Sequence, residues 1–262
     1  MHPKPKKSLG QNFLIDQNII NLIVEKGDIN SNDTVIEVGP GTGNLTEKII
    51  LKKPKKLILI EKDNSLIKKL NSKFNEKITL INEDILKFNE DIIKKNKMIF
   101  FGNLPYNISS QLLVKWIRKH DLNIICKKMI LMFQKEVADR ILAKTNQKDY
   151  GRLSILSSWK LNVTKIKDIN PGSFYPVPKV TSTILLIEPK SKFFDIKNPK
   201  NLEHITNVFF SQRRKMINKA LKILFEDINI ISKKFKLDLN KRPQNLHPSI
   251  YFDLCKEYED LN

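Results

Sequence analysis

The sequence predicts an α/β protein built on a parallel sheet, with a small all-helical part at its C-terminal end. Two observations carry the first half of that statement. Short β-rich runs alternate with helical stretches between residues 34 and 133, and a glycine-rich segment follows the first of these runs. A third observation carries the second half: from about Pro199 onward no strand pattern occurs, and apolar residues recur at helical spacing.

Taken in order, Thr34 to Val38, Lys56 to Ile60, Ile78 to Ile81, Met98 to Phe101 and Met129 to Phe133 read as strands. Helices are expected between them near 44–51, 65–75 and 109–120. Nearly every strand end then meets a residue with chemistry to offer, in keeping with the rule that open α/β sheets bind ligands beyond the carboxyl ends of their strands. A helical region is expected around 134–160. The runs Leu161 to Ile169 and Val180 to Glu188 alternate like an antiparallel pair closing the sheet, with a proline-rich loop between them. Leu202 to Phe210 and Met216 to Phe225 have helical spacing, so the chain is expected to divide into domains 1–190 and 191–262.

At 262 residues, 40% of them hydrophobic, the chain can bury a substantial core. Its longest purely apolar runs, such as Leu57 to Ile60, are about four residues, far below the ~20 needed to cross a bilayer. No membrane association is expected. The basic start, Met1 to Lys7, runs into Ser8-Leu9-Gly10-Gln11-Asn12 rather than an apolar leader, which makes the cytoplasm the expected location. Cys126 and Cys255 lack CxxC spacing and the four histidines are scattered, so neither a metal site nor a disulfide framework is expected. A monomer is expected, because no uncovered apolar helix face stands out.

The net charge of +19 suggests a polyanionic partner. Only six of the 47 basic residues are arginine, however, and the crowding of Lys, Ile and Asn is what an AT-rich genome produces. Distribution is more informative than total: residues 190 to 242 carry 14 basic and five acidic residues, whereas 243 to 262 carry one basic and four acidic. The first of these segments is a candidate nucleic-acid face.

The strand ending at Val38 runs into Gly39-Pro40-Gly41-Thr42-Gly43, and a helix follows from Asn44. A dinucleotide site would show GxGxxG, with a pyrophosphate over the helix N-terminus. The tighter GxGxG, with Glu37 just before it, better suits a ligand without phosphates such as S-adenosylmethionine. Glu61, at the end of the next strand and 22 residues after Gly39, can accept from both ribose hydroxyls, and Asp84, after the third strand, from an adenine amine.

Asn103-Leu104-Pro105-Tyr106 follows the fourth strand. An exocyclic base amine is a poor nucleophile, because its lone pair is delocalised into the ring; hydrogen-bond acceptors draw that pair out of conjugation. The Asn103 side-chain oxygen and the Leu104 carbonyl supply two acceptors, Pro105 a rigid corner and Tyr106 a ring on which a base can stack. The tetrapeptide thus reads as an amine-methylating site.

These residues give the chain its resemblance to the bacterial small-subunit (16S) ribosomal RNA adenine N6,N6-dimethyltransferases, the KsgA family, over nearly its whole length. Lys7-Ser8-Leu9-Gly10-Gln11-Asn12-Phe13-Leu14 resembles that family's N-terminal motif. The resemblance implies a Rossmann-like class I methyltransferase fold in which residues 1–33 cover the cofactor. It further implies that Asn12, Leu14, Gly39, Gly41, Glu61, Asp84 and Asn103 contact S-adenosylmethionine. The run Pro171-Gly172-Ser173-Phe174-Tyr175-Pro176-Val177-Pro178-Lys179-Val180 is a second match, implying that Phe174 covers one face of a flipped-out adenine while Tyr106 covers the other. Phe209 to Lys215 and Arg242 to Leu246 resemble two further elements, the first placing Arg213, Arg214 and Lys215 on RNA phosphate. Gln244 stands where the family commonly has an acid.

The implied activity is dimethylation of two adjacent adenines near the 3′ end of 16S rRNA, with the small ribosomal subunit as partner and no metal. Two alternatives remain at this stage. One is a large-subunit (23S) adenine methyltransferase of the macrolide-resistance type, against which Leu104 argues, since isoleucine is usual there. The other is a ribosome-assembly factor acting mainly by binding.

Overall fold

The computed structural model describes residues 5–6, 9–89 and 97–261, so Lys7 and Ser8 of the N-terminal motif lie outside the described residues. The chain begins with a short strand, β1 (Phe13–Leu14), and a helix, α1 (Gln17–Gly27). The Asp16 carboxylate caps that helix, accepting from the N–H groups of Asn18 (3.0 Å) and Ile19 (3.3 Å). Its last residue is Gly27 because nothing larger fits, as a Cβ there would lie 2.3 Å from the Phe101 ring, and left-handed Asp28 ends the helix.

Next come β2 (Thr34–Val38), α2 (Asn44–Leu51), β3 (Lys56–Glu61), α3 (Asn64–Phe74) and β4 (Thr79–Asn82). After these follow β5 (Met98–Asn103), α4 (Tyr106–Ile117), α5 (Leu122–Ile125) and β6 (Cys126–Gln134). Unbroken apolar runs such as Leu57 to Ile60 suit strands covered on both faces, and all four of these side chains are buried. The expected helix at 109–120 starts earlier, at Tyr106, because Pro105 serves as its N-cap. The fourth expected strand runs on to Asn103.

The helical region expected at 134–160 is two helices, α6 (Lys135–Leu142) and α7 (Arg152–Lys160). Three strands follow, β7 (Leu161–Ile169), β8 (Phe174–Tyr175) and β9 (Ser182–Pro189). The main sheet has the order β4-β3-β2-β5-β6-β9-β7. The pairs from β4 through β6 are parallel, while β9 lies antiparallel to β6. The chain moves outward from β2 to β4 and then returns to the other flank of β2 as β5, so order reverses between β2 and β5. Register sharpens that point: Val38 is paired with Ile60 on one side and Gly102 on the other, which brings Gly39, Glu61 and Asn103 to one edge.

The remaining helices are α8 (Pro199–Ser211), α9 (Ile217–Leu224), α10 (Ile228–Lys234) and α11 (Pro248–Leu261). The chain divides into two compact units, Met1–Ala138 with Val163–Pro189, and Asp139–Asn162 with Lys190–Asn262. The expected division at 190 thus misplaces Asp139–Asn162, which belongs to the helical unit. The reason is packing: α7 lies against α8 and α11, in a core that includes the edge-on Phe209–Tyr251 pair (5.2 Å between ring centroids). Tyr150 and Tyr251 are buried there with their hydroxyls donating to the Leu246 and Pro243 carbonyls, at 2.9 and 2.7 Å. Among the described residues, no helix is long and apolar enough to cross a membrane.

Candidate active site

The loop after β2 is shaped by glycine. Gly39 and Gly41 have φ of 65° and 58°, a region that side chains disfavour, and a Cβ on Gly41 would meet the Phe13 ring at 2.8 Å. The loop closes back on the sheet, as Gly39 N–H donates to Ile60 O at 2.9 Å and Gly41 N–H reaches the Glu61 carboxylate at 3.4 Å. Glu61 also accepts from the N–H groups of Lys62 (2.9 Å) and Asp63 (2.8 Å). Burial raises its pKa, and those three N–H groups act in the opposite direction. Asp84 accepts from the Lys62 ammonium at 2.8 Å and from Leu86 N–H at 3.0 Å, and the lysine keeps its pKa below the usual range.

Together these groups border a cavity of about 180 Å³ at the switch point, whose wall includes Gly39, Gly41, Glu61, Asp84, Asn103 and Tyr106. Asn12 and Leu14 line it from the N-terminal segment. The cavity lies wholly within the sheet-bearing unit.

Asn103 ends β5 with its amide fixed. Its Nδ2 donates to the Asn12 carbonyl at 2.8 Å. A carbonyl only accepts, so the NH₂ must face it and Oδ1 is left as an acceptor. Leu104 folds its side chain back on Gly102, where a Cβ would come within 2.9 Å of it, and is 1% exposed. The first bond of the α4 turn goes from Ile108 N–H to the Pro105 carbonyl (3.0 Å), so the Leu104 carbonyl stays outside the helix ladder. Tyr106 is anchored by a 2.7 Å hydrogen bond between its hydroxyl and that of buried Ser182.

The N-terminal segment is strapped over this site. Leu14 O accepts from Asn44 Nδ2 at 2.8 Å, while Lys6 Nζ and Gln11 Nε2 both bind the Asp63 carboxylate, at 2.7 and 2.9 Å. Burial pushes the Asp63 pKa up, but Lys6, Ser65 and Gln11 outweigh it and hold the group well below the usual carboxylate range. The strap is completed by β1, which pairs antiparallel with β8 so that Phe13 faces Tyr175 and Leu14 faces Phe174.

That pairing sets where Phe174 lies. Phe174 is 1% exposed and packed in the core with Leu14, Ile169 and Ile184, and it is not on the cavity wall. Strand alternation sends it inward and leaves Tyr175, its neighbour, 42% exposed. Of the two aromatics expected at the base, the structure brings Tyr106 to the cavity and Phe174 behind it.

Arg213, Arg214 and Lys215 lie in the turn between α8 and α9, directly before Met216, the N-cap of α9. Arg213 is committed within the helical unit, its Nε donating to Gln244 Oε1 at 3.1 Å and its NH2 group to the Lys148 carbonyl. Gln244, uncharged, thus accepts from Arg213 through its amide oxygen. Arg214 and Lys215 are exposed.

Several contributors went unassigned in the sequence: Glu37, Asn44, Asp63, Gly102 and Ser182. Glu37 carried a signal, as a lone acid inside the apolar run Val35 to Val38. Asn44, Asp63 and Ser182 are defined by partners distant in the chain and carried none, and Gly102, which makes room for Leu104, carried none either.

The ribosomal RNA adenine dimethylase family matches residues 2–260 of the chain. The chain belongs to that family. A relative from Pelagibacter ubique (strain HTCC1062), ribosomal RNA small subunit methyltransferase A, is 56% identical over 261 residues, covering 100% of this chain and 99% of the relative. The protein of the same description from Wolbachia sp. subsp. Drosophila simulans (strain wRi) is 41% identical, covering 93% and 89%. Among solved structures, a dimethyladenosine transferase from Plasmodium falciparum superposes with a TM-score of 0.76 at 29% identity, covering 95% of this chain and 98% of the other. The 23S rRNA methyltransferase ErmE matches with a TM-score of 0.69 at 21% identity over 94% and 99%, a likeness of fold. This dimethylase thus has the Rossmann-like methyltransferase fold, and its cofactor is S-adenosylmethionine. The cavity suits that molecule. It offers carboxylates for hydroxyl and amine hydrogens, a glycine loop that admits close approach, and an Asn103 oxygen free to accept.

Proposed function

We propose that Asn103 Oδ1 and the Leu104 carbonyl hold N6 of an rRNA adenine by its two hydrogens while the amine is methylated, in the dimethylation of small-subunit (16S) rRNA to which the family belongs. The observation that carries this reading is the Asn12–Asn103 hydrogen bond, which turns the amide so that its oxygen is the free acceptor. Both acceptors favour a tetrahedral amine over the planar one, so they stabilise the transition state more than the ground state. S-adenosylmethionine, when bound, supplies an electrophilic methyl group. Tyr106, fixed by Ser182, offers its ring to the base, and Asn12, Leu14, Gly39, Gly41, Glu61 and Asp84 hold the cofactor from the strap, the glycine loop and the strand ends. The strap excludes water from the reacting groups. The N6 proton departs to solvent, because the methylated ammonium is strongly acidic, and the same acceptors then receive the monomethyl amine for a second transfer.

Exposed Arg214 and Lys215 provide phosphate contacts, and the protein acts as a cytoplasmic monomer, which sedimentation of the purified chain checks. The decisive experiment incubates the protein with labelled S-adenosylmethionine and either small subunits lacking dimethyladenosine or protein-free large-subunit RNA, and then identifies the labelled nucleoside. Dimethyladenosine from the small subunits alone is expected. Label in large-subunit RNA would point to the resistance-type activity, and binding without label to an assembly role.

A further inference from the structure

The strap is fastened by a carboxylate that does not border the cavity. Asp63 is 3% exposed and lies behind the wall, two residues beyond Glu61. Its oxygens divide between two tasks. Oδ1 accepts from the Ser65 N–H at 2.9 Å and the Ser65 hydroxyl at 2.7 Å, which caps α3, and it also receives the Lys6 ammonium at 2.7 Å. Oδ2 accepts from Gln11 Nε2 at 2.9 Å, and Gln11 Oε1 in turn accepts from the Lys6 N–H at 2.8 Å. Lys6, Gln11 and Asp63 thus close a ring of hydrogen bonds between the strap and the start of α3. Capping alone needs one oxygen, which a serine would supply. The second oxygen and the charge serve the strap.

The residue after Gln11 is the one that orients the acceptor amide. Asn12 O receives Asn103 Nδ2 at 2.8 Å, across 91 residues of chain. Just before it, Gly10 runs close over the turn that follows β5: a Cβ there would lie 3.5 Å from Pro105 Cβ and 3.4 Å from Asn107 Oδ1. Asn12 is therefore pinned from both sides, by the Gln11 clamp behind it and by the two-residue β1 ahead. With the clamp gone, β1 and the Leu14–Asn44 hydrogen bond hold one side only, and the Asn12 carbonyl is released from the place where it selects the face of Asn103. An amide that loses this partner has no cause to prefer one face. A flipped Asn103 would present donors to an amine that is itself a donor.

We propose that Asp63 is a positioning residue for methyl transfer: through Lys6 and Gln11 it seats the strap, and through the Asn12 carbonyl it keeps Asn103 Oδ1 turned toward the target amine. This rests on the acceptor reading of Asn103 given above. The Lys6 ammonium against a carboxylate nearly out of water makes the clamp firmer than a neutral contact would be. The same residue ties the strap to the strand end beneath it, since the Asp63 N–H donates to Glu61 Oε1 at 2.8 Å.

Asp63→Ser separates the two tasks. Serine keeps a cap for α3 and the backbone N–H that Glu61 accepts, but it has no second oxygen for Gln11 and no charge for Lys6. Single-turnover methylation at saturating S-adenosylmethionine should slow by about 10- to 100-fold, the scale of a misplaced reacting group, while circular dichroism shows the chain folded. Gln11→Ala removes the clamp from the other side and should slow transfer to a similar degree; it replaces Asp63→Ser throughout should that variant not fold. The double variant separates positioning from general loosening. If Asp63 acts through Asn103, adding Asp63→Ser to Asn103→Ala should cost less than about twofold more, whereas a merely structural role would multiply the two losses. A second readout needs no turnover. In nitrogen-15 spectra of the cofactor-free protein, the Asn103 side-chain NH₂ pair, identified by its absence in Asn103→Ala, should lose its hydrogen-bonded shift and its protection from exchange in Asp63→Ser. The proposal is overturned by a wild-type rate in either single variant, by losses that multiply in the double variant, or by an Asn103 amide signal that Asp63→Ser leaves unmoved. Methylation by Asn103→Ala at the wild-type rate would instead mark the failure of the acceptor reading itself.

Discussion

At the scale of single residues, the site depends on polar groups whose partners settle their orientation. Asn103 is the clearest case, because Asn12 dictates which end of the amide faces outward. Asn103→Ala should lower kcat by about 100-fold or more, the range seen when a transition-state acceptor or donor is removed, with cofactor affinity only modestly reduced; single-turnover methylation and cofactor binding measured side by side check this. Glu37 gives a second prediction, in stability. Burial raises its folded pKa to about 8 from 4.5, so between those values the folded chain keeps a proton that the unfolded chain has released. Rising pH therefore favours unfolding, by on the order of 5 kcal/mol over the window. Denaturation of the cofactor-free protein at pH 5 and pH 8 should show Glu37→Gln gaining stability relative to wild type at the higher pH; parallel pH profiles would contradict a neutral buried Glu37. Asn103, Glu61 and Asp84 were legible in the sequence because strand ends announce themselves locally. Ser182 was not, since a contact spanning 76 residues leaves little trace in a local pattern, and Glu37 showed itself only as a lone acid in an apolar run.

At the scale of elements, the strap is the feature the sequence disclosed least. Two-residue strands have no periodicity to detect, and β1 and β8 exist because they pair with each other. The helix between β1 and β2 was readable, with Asp16 as cap and Ile19, Ile20, Ile23 and Val24 on one buried side, yet the reading treated 1–33 only as a covering segment. Phe174 belongs to this level. Phe174→Ala should destabilise the protein by roughly 3–5 kcal/mol, as expected for emptying a packed core position; chemical denaturation checks it, and a loss below about 1 kcal/mol would mean that the ring is not a core anchor. The basic turn between α8 and α9 divides by the same reasoning. Arg214→Ala and Lys215→Ala should each reduce the salt dependence of RNA binding by about one phosphate contact. Arg213→Ala should chiefly lower stability, since its guanidinium is already committed to Gln244 and Lys148.

At the scale of the whole molecule, the parallel sheet and its reversal between β2 and β5 were foreseeable, because alternating strands and helices with a glycine loop after the first strand leave few topologies open. The domain division was harder, because helix periodicity in α7 says that one face is buried without saying against what. Binding of small-subunit RNA should weaken steeply as salt rises, with a log–log slope of several units; a flat response would mean that the lysine excess reflects codon bias rather than function. The interleaving of the two units also sets an order of events during synthesis. Because β9 inserts between β6 and β7, the sheet cannot be completed until residue 189 has left the ribosome. By then α7 has already emerged with its buried Ile155, Leu156 and Trp159, while α8 and α11, against which it packs, have still to emerge. A nascent chain of this dimethylase must therefore carry an uncovered apolar helix from the emergence of α7 until α11 follows it, which makes the pace of synthesis between them, and any chaperone acting on it, part of how the enzyme reaches its folded form.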